Sequence, residues 1–283
     1  MALDFIPTVW ASRLLVALED SLVYGQAKVA NRNYEGEIRE AGNTVKIASI
    51  GDVGIGDYVK NTDIDDPATL TDTEQTLLID QAKYFNFYVD RIDQAQQNVN
   101  VLDEAMRRSA WKLRDIADSY IAGVMAAGVP AGNTLGSAAT PKVPTKSDAY
   151  EYLVDLGTML DESNTPIEGR FVVVPAWFHG LLLKDDRFVN AGTMRSDRRL
   201  ANGAVGEAAG FEILKSNNVP NESGAEFKII AGHAIATSYV EQVLDVHTFK
   251  PEKRFGDAVK GLHVYGAKVV QNECLAMLIA NKA

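Results

Sequence analysis

The chain has 283 residues, of which 28 are Lys or Arg and 38 are Asp or Glu, so its formal net charge at pH 7 is −10. This length supports a sizeable core in one elaborate domain or two interleaved ones. The negative net charge argues against tight wrapping of nucleic acid, although it does not forbid a protein surface that faces DNA without binding it tightly. The sequence lacks the pattern of a membrane span or a secretory signal, and the single Cys274 fits a reducing cytoplasm.

The first 80 residues combine a predicted helix with an unusually acidic region. Thr8 is a candidate cap for an amphipathic helix over residues 5–22. Residues 35–80 include eleven acidic and three basic residues. Strands are predicted at 45–47 and 77–79. Most residues between these strands are turn formers, with too few large apolar side chains for a core. We interpret the region as an arm that reaches another subunit; a surface loop is the alternative.

The longest predicted element is an amphipathic helix over residues 98–127. Its apolar stripe consists of Val99, Leu102, Met106, Ala110, Leu113, Ala117, Tyr120 and Val124. The opposite side carries Asp103, Glu104, Arg107, Arg108, Lys112, Asp115 and Asp118. At 1.5 Å per residue the helix is about 45 Å long, which favours a spine for the fold, although an ordinary core helix has the same periodicity. The preceding segment, 76–89, predicts one long strand.

The second half of the chain is predicted to form a further domain. A stretch rich in Gly, Pro, Ser and Thr at 128–146 indicates a linker, and Ser147 is the predicted N-cap of the next helix. After it come an apolar strand (171–174), a short helix (177–183), strands at 203–216 and 227–231, a run at 234–249, and closing strands at 259–271 and 274–279. Strands and helices do not alternate regularly, so the predicted fold class is α+β.

A search for catalytic motifs finds none with the right context. The segment 51–56 has the glycines of a nucleotide loop, but it lacks the last Gly of GxGxxG and no helix follows, which favours a turn. The histidines lie far apart in sequence and none has a second ligand at metal spacing: His179, His233, His247 and His263. Cys274 is predicted to be a small core residue. We expect no enzyme, no catalytic residue, no cofactor and no metal site.

Six blocks between Phe5 and Ile279 share one resemblance. They are FIPTVWASRLLVALEDSLVYGQ, NRNYEGEIREAGNTVKI, IDQAKYFNFYVDRID, RFVVVPAWFHGLLLKDDRF, GAVGEAAGFEILKSNNVP and RFGDAVKGLHVYGAKVV. In this order they resemble major capsid proteins of tailed double-stranded-DNA bacteriophages, which have the Hong-Kong-97-like fold. Because the blocks are separate and span nearly the whole chain, the resemblance is more specific than any single motif.

The resemblance implies an architecture for the predicted elements. Residues 1–34 correspond to the N-terminal arm, 35–75 to the extended β-hairpin loop, 76–146 to the peripheral domain with spine helix and linker, 147–248 to the axial domain, and 249–283 to return strands of the peripheral domain and a C-terminal axial strand. Hinges of the loop are expected near 36–42 and 72–75. The arm starts almost at Met1, so the resemblance implies that scaffolding comes from a separate protein.

The function implied by the resemblance is self-assembly. Copies of the chain are expected to form pentamers and hexamers of an icosahedral capsid around double-stranded DNA, by way of a procapsid that expands on maturation. The implied partners are further copies, a separate scaffolding protein, a portal, a possible decoration protein and packaged DNA contacted non-specifically, with no membrane. The implied location is the virion capsid, after assembly in the bacterial cytoplasm.

Charge asymmetry suggests where copies touch, independently of the resemblance. Segment 169–200 contains six basic and three acidic residues, and segment 249–268 contains five basic and two acidic residues. The acidic loop could therefore dock on basic surfaces of an identical chain. The predicted inter-subunit contacts are Trp10, Arg13, Glu37, Arg39, Asp57, Lys60, Asp63, Asp65, Asp66, Arg187, Arg195, Arg198, Arg199, Lys253 and Arg254.

Two other functional classes stay open on the sequence. The first is the shell protein of an encapsulin-like cellular nanocompartment, which encloses cargo proteins instead of a genome. The second is a cytoplasmic enzyme without a recognisable motif, which the missing constellation of acid, base, metal or phosphate groups makes the weaker alternative.

Overall fold

A computed structural model describes residues 22–33, 44–50, 60, 72–90, 101–185, 206–222, 224–249, 251 and 256–282. Its helices are α1 (Val101–Gly128), α2 (Asp148–Glu162) and α3 (Ala176–Leu183). Its strands are β1 (Thr44–Ile50), β2 (Asp72–Leu78), β3 (Gln81–Asp90), β4 (Thr134–Leu135), β5 (Arg170–Val174), β6 (Glu207–Ala208), β7 (Phe211–Lys215), β8 (Asn221–Glu222), β9 (Glu226–His233), β10 (Thr237–Phe249), β11 (Gly256–Val269) and β12 (Leu275–Ala280). None of the described helices is long and apolar enough to cross a membrane.

The larger sheet has the order β4-β12-β9-β5-β7-β6, with β8 paired to β9. Helices α2 and α3 cover one face, where Leu153 and Phe178 pack with Val172 and other buried residues. The other face packs Phe171 against the core that contains α1. Since both faces are covered, every residue of β5 is buried, which explains the apolar run 171–174 that follows Arg170.

A second, antiparallel sheet has the order β10-β11-β3. Helix α1 lies on one of its faces, and its residues Ala117, Ile121 and Met125 share a core cluster with Tyr239 and Tyr265. The pairing of β10 with β11 shifts register between Val243 and Asp245. Strands β1 and β2 form a separate antiparallel pair that lies against this sheet.

The structure confirms several predicted elements. Helix α1, Val101–Gly128, lies at the predicted long helix, and residues 98–100 of that prediction lie outside the described residues. Strands β1, β2, β5 and β9 lie where the residue pattern predicted strands, and α3 lies at the predicted short helix. Cys274 is buried, as predicted, although it belongs to a 3-10 turn just before β12.

One predicted strand is wrong, and two predicted domain bounds fall within strands. Segment 76–89 is not one strand, because the chain leaves β2 after Leu78 and buries Ile79 before β3 begins. The end of the loop at residue 75 and the predicted hinge at 72–75 both fall inside β2, which pairs continuously with β1. Strand β10 pairs with β11, so the chain passes from one sheet to the other at 233–237, and the predicted bound at 248 falls within β10.

Two local predictions also need correction. Segment 203–216 is not one strand: β6 and β7 form a hairpin around Ala209 and Gly210, whose φ values of 51° and 79° fit a two-residue turn. Ser147 occupies the N-cap position of α2 but makes no side-chain cap bond, and its Oγ lies 3.1 Å from Thr145 Oγ1.

Candidate assembly surfaces

Residues 22–33 are held on α1 by one buried carboxylate. Asp118 Oδ1 accepts hydrogen bonds from the backbone N–H groups of Val23 and Tyr24 at 2.9 and 2.7 Å, and Oδ2 accepts one from Asn218 Nδ2 at 3.3 Å. Burial raises the pKa of Asp118, although the hydrogen bonds act in the opposite direction. The helical periodicity predicted Asp118 on the solvent side, and this prediction is wrong because residues 22–33 cover it.

A second attachment joins the same segment to β10. The Asn31 N–H donates to the Thr237 carbonyl at 2.8 Å, and the Tyr239 N–H donates to the Asn31 carbonyl at 3.0 Å. Residues 31 and 238 thereby form a parallel bridge at the edge of the sheet. Leu22 and Val29 are fully buried in the core that contains α1. The predicted arm, residues 1–34, is therefore fixed to its own subunit at its C-terminal end.

Buried charges strengthen this second attachment. Arg32 forms an ion pair with Glu241, whose Oε2 accepts a hydrogen bond from the Tyr239 hydroxyl at 2.7 Å and lies 3.5 Å from His263 Nε2. Burial acts to raise the pKa of Glu241, but His263, the Arg32 charge and the Tyr239 hydroxyl outweigh it, so that this pKa lies below its ordinary value. The sequence carried no signal for this cluster, because its members are far apart in the chain.

The base of the β1–β2 pair is fixed on the opposite face of the β10-β11-β3 sheet. Ile47, Leu77 and Ile79 are buried there against Val240. The chain crosses Gly266 so closely that a Cβ atom at that position would overlap the carbonyl oxygen of residue 78 and lie 3.0 Å from the Cα atom of Ile79. A glycine within a strand pattern is a signal for such a close approach.

Polar contacts hold the same base in register. Lys268 Nζ donates to the Thr76 carbonyl at 2.9 Å, and Gln75 Nε2 donates to the Val270 carbonyl at 3.3 Å. The β1–β2 register ends with residues 50 and 72 opposite each other. The loop between these two residues therefore starts and ends at one fixed point on the subunit.

Beyond the hairpin base, the same face of the sheet carries an open groove. Tyr84 pairs with Leu262 in register and is 78% exposed. The groove has a volume of about 400 Å³ and is lined by Tyr84, Phe85, Asn86, His247, Lys260, Gly261 and Leu262. In the described part of the chain, this aromatic and basic surface is next to the strands that lead into the acidic loop.

Of the predicted contact residues, only Lys60 lies within the described residues, where it is exposed in a turn. The others lie outside them: Trp10, Arg13, Glu37, Arg39, Asp57, Asp63, Asp65, Asp66, Arg187, Arg195, Arg198, Arg199, Lys253 and Arg254. Sequence reasoning missed the attachments made by Asp118, Glu241 and Gly266, which determine where the arm and the loop leave the subunit.

Removing the Asp118 carboxylate should destabilise the subunit. Asp118→Ala leaves two buried backbone N–H groups without an acceptor, so we expect the free energy of unfolding in urea to fall by about 2–4 kcal/mol. Asp118→Asn is the matched control, because it keeps Oδ1 as the acceptor for both N–H groups and gives up only the buried charge and the weaker bond from Asn218 to Oδ2; its loss should be clearly smaller. Equal losses for the two variants would contradict the role of Asp118 as the acceptor for residues 23 and 24.

Comparisons with known proteins give one family model and several solved structures that match the chain. A family model described as "Phage capsid protein" matches residues 73–277. A chain in a structure of Mycobacterium phage Che8 is 29% identical, with a TM-score of 0.73 and 91% of each chain covered. A chain in the capsid structure of cyanophage P-SCSP1u is 18% identical, with a TM-score of 0.69 over 86% of this chain and 85% of that one, which shows a shared fold.

A more distant structure also has the fold. A virus-like particle from Pyrococcus furiosus is 13% identical, with a TM-score of 0.55 over 96% of this chain and 98% of that chain. No curated protein is significantly similar to the chain in sequence.

Proposed function

Because the chain belongs to the phage capsid protein family, we propose that its activity is self-association into the pentamers and hexamers of an icosahedral shell around double-stranded DNA. It is a structural protein of a viral capsid. The nanocompartment alternative is not favoured, since the family model and the more similar structures belong to phages.

The observation that carries the proposal is the fixed base of the β1–β2 pair. The base is buried and hydrogen-bonded on its own subunit, whereas the loop that it supports, residues 51–71, has five Asp against one Lys. Such a loop has little apolar area with which to build a core of its own. We infer that a neighbouring copy supplies the surface on which this loop docks.

The docking surface that we propose is basic. Segments 169–200 and 249–268 carry a surplus of Lys and Arg, and the described part of the second segment includes Lys260 beside the open groove. An exposed ion pair contributes only about 0–1 kcal/mol, so charge steers the contact while buried apolar area stabilises it. Each such contact is repeated in every copy of a shell.

Reversing three charges in the loop should impair assembly without unfolding the subunit. In the variant Asp63→Lys, Asp65→Lys, Asp66→Lys, the loop should be repelled by basic surfaces that attracted the wild-type loop. We expect far fewer closed shells by electron microscopy and an unchanged urea unfolding curve. The charge-conserving variant Asp63→Glu, Asp65→Glu, Asp66→Glu should assemble as wild type does. Normal shells from the Lys variant would contradict the proposed role of charge.

The remaining steps of assembly belong to the same proposal. A separate scaffolding protein and a portal would guide formation of a procapsid in the bacterial cytoplasm, and a decoration protein would have exposed surface to bind. The procapsid would expand as DNA enters.

A further inference from the structure

Helix α1 carries four bases on the side that points away from its core, where Glu104 and Asp115 also lie. Arg107, Arg108, Lys112 and Arg114 lie within two turns of each other, and Trp111 among them is 52% exposed. We name these five residues the α1 cationic strip. On the other side of the helix, Met106, Ala110 and Leu113 are buried, so the strip faces away from its own core on a rigid element.

One close ion pair involves the α1 cationic strip, and Asp115 lies within one turn of Lys112 and Arg114. Arg108 Nε donates to Glu104 Oε1 at 3.0 Å, which neutralises one cation. Within the described ranges, no carboxylate forms an ion pair with Arg107, Lys112 or Arg114. The Arg114 guanidinium lies 5.9 Å from the centre of the Trp111 ring. An open groove of about 410 Å³ is lined by Glu104, Arg107, Arg108, Ala110, Trp111 and Arg114.

This chemistry matches a row of phosphates. Positions 107 and 114 are seven residues apart, which corresponds to about 10 Å along the helix axis. One strand of duplex DNA presents a phosphate about every 3.4 Å of its axis, so about three phosphates fit this length. Guanidinium groups bind phosphate oxygens bidentately, and contacts to the phosphate backbone carry no sequence information directly.

We propose that the α1 cationic strip binds the phosphate backbone of packaged nucleic acid, without sequence preference. This inference rests on the proposed function, because it assumes a shell that encloses DNA, and it puts the strip on the inner side of that shell. Few cations per subunit mean weak binding by each copy. Weak contacts on an acidic chain let DNA move during packaging while many copies together hold it.

The test measures binding of a labelled 20-base-pair duplex to the full-length soluble subunit by fluorescence anisotropy at several salt concentrations. The variant is Arg107→Gln, Lys112→Gln, Arg114→Gln. The matched control is Lys142→Gln, Lys146→Gln, Lys282→Gln, which removes as many cations from exposed positions elsewhere. The slope of log K against log salt should decrease in magnitude by about 2–3 in the strip variant, since each lost phosphate contact accounts for about 0.9. At low salt its affinity should fall about tenfold or more.

The outcomes separate this proposal from its alternatives. Unchanged DNA binding by the strip variant, or equal losses in the strip and control variants, would overturn it. A synthetic peptide of residues 51–71 is the second probe: loss of peptide binding with intact DNA binding would assign the strip to the acidic loop of another copy. Thermal unfolding of both variants should match wild type. Because the soluble subunit is used, failure to form shells would refute the proposed function without affecting this result.

Discussion

A subunit whose residues 51–71 are replaced by Asn-Gly should fold normally and build no closed shell. Residues 50 and 72 are directly opposite in the β1–β2 register, so a two-residue type I′ turn can connect them without disturbing either strand. The buried base formed by Ile47, Leu77 and Ile79 is unaffected. What the variant loses is the loop that we propose to dock on the next copy, and that loss is repeated at every position of the shell.

The measurement combines urea unfolding with electron microscopy and light scattering of the assembly products. We expect an unfolding midpoint close to that of wild type and no particles of shell size. A second variant, with residues 51–71 replaced by a Gly-Ser linker of equal length, keeps the spacing and removes the side chains. It should fail in the same way. Closed shells from either variant would show that the loop is dispensable.

Gly266→Ala should lower the free energy of unfolding by about 1–3 kcal/mol and reduce shell yield. Its Cβ atom would overlap the carbonyl oxygen at Leu78 and crowd the Ile79 Cα atom, and both neighbours are backbone atoms that cannot rotate away. The strands must therefore separate, which shifts the base of the β1–β2 pair away from Val240. Because the loop leaves the subunit from this base, its direction should change as well.

Gly123→Ala is the control for this substitution. Position 123 lies in α1, and no atom lies within 4 Å of the added Cβ, so the exchange should raise stability by up to about 1 kcal/mol through helix propensity. Urea unfolding of the two variants should therefore move in opposite directions. A Gly266→Ala protein as stable as wild type would contradict the close crossing at this position.

The sequence predicted the elements whose pattern is strong and local. The apolar stripe of α1 identified Met106, Leu113 and Ala117 as buried, and the apolar run 171–174 identified strand β5, whose burial on both faces the structure adds. The break at Ile79 escaped prediction because the aromatic run 84–88 dominated the segment, although Asp80, Ala82 and Lys83 are poor strand formers. Tertiary packing on Val240, rather than local propensity, ends strand β2.

The attachments of the arm show why polar contacts were harder to predict than the core. Asp118 lies beside the apolar stripe, and only its position under Val23 and Tyr24 makes it buried. Glu241 and Arg32 are separated by 209 residues, so no local pattern could pair them. The charge asymmetry that predicted contacts between copies is a property of whole segments, and those contacts stay predictions.

We propose that each chain completes its structure by contact with further copies of itself. The most direct test of this proposal is electron cryomicroscopy of the purified wild-type protein, from dilute to concentrated solution. We predict closed icosahedral shells of pentamers and hexamers, in which residues 51–71 of each subunit lie on a neighbour. A monomer at every concentration, with residues 51–71 packed against its own subunit, would contradict this account.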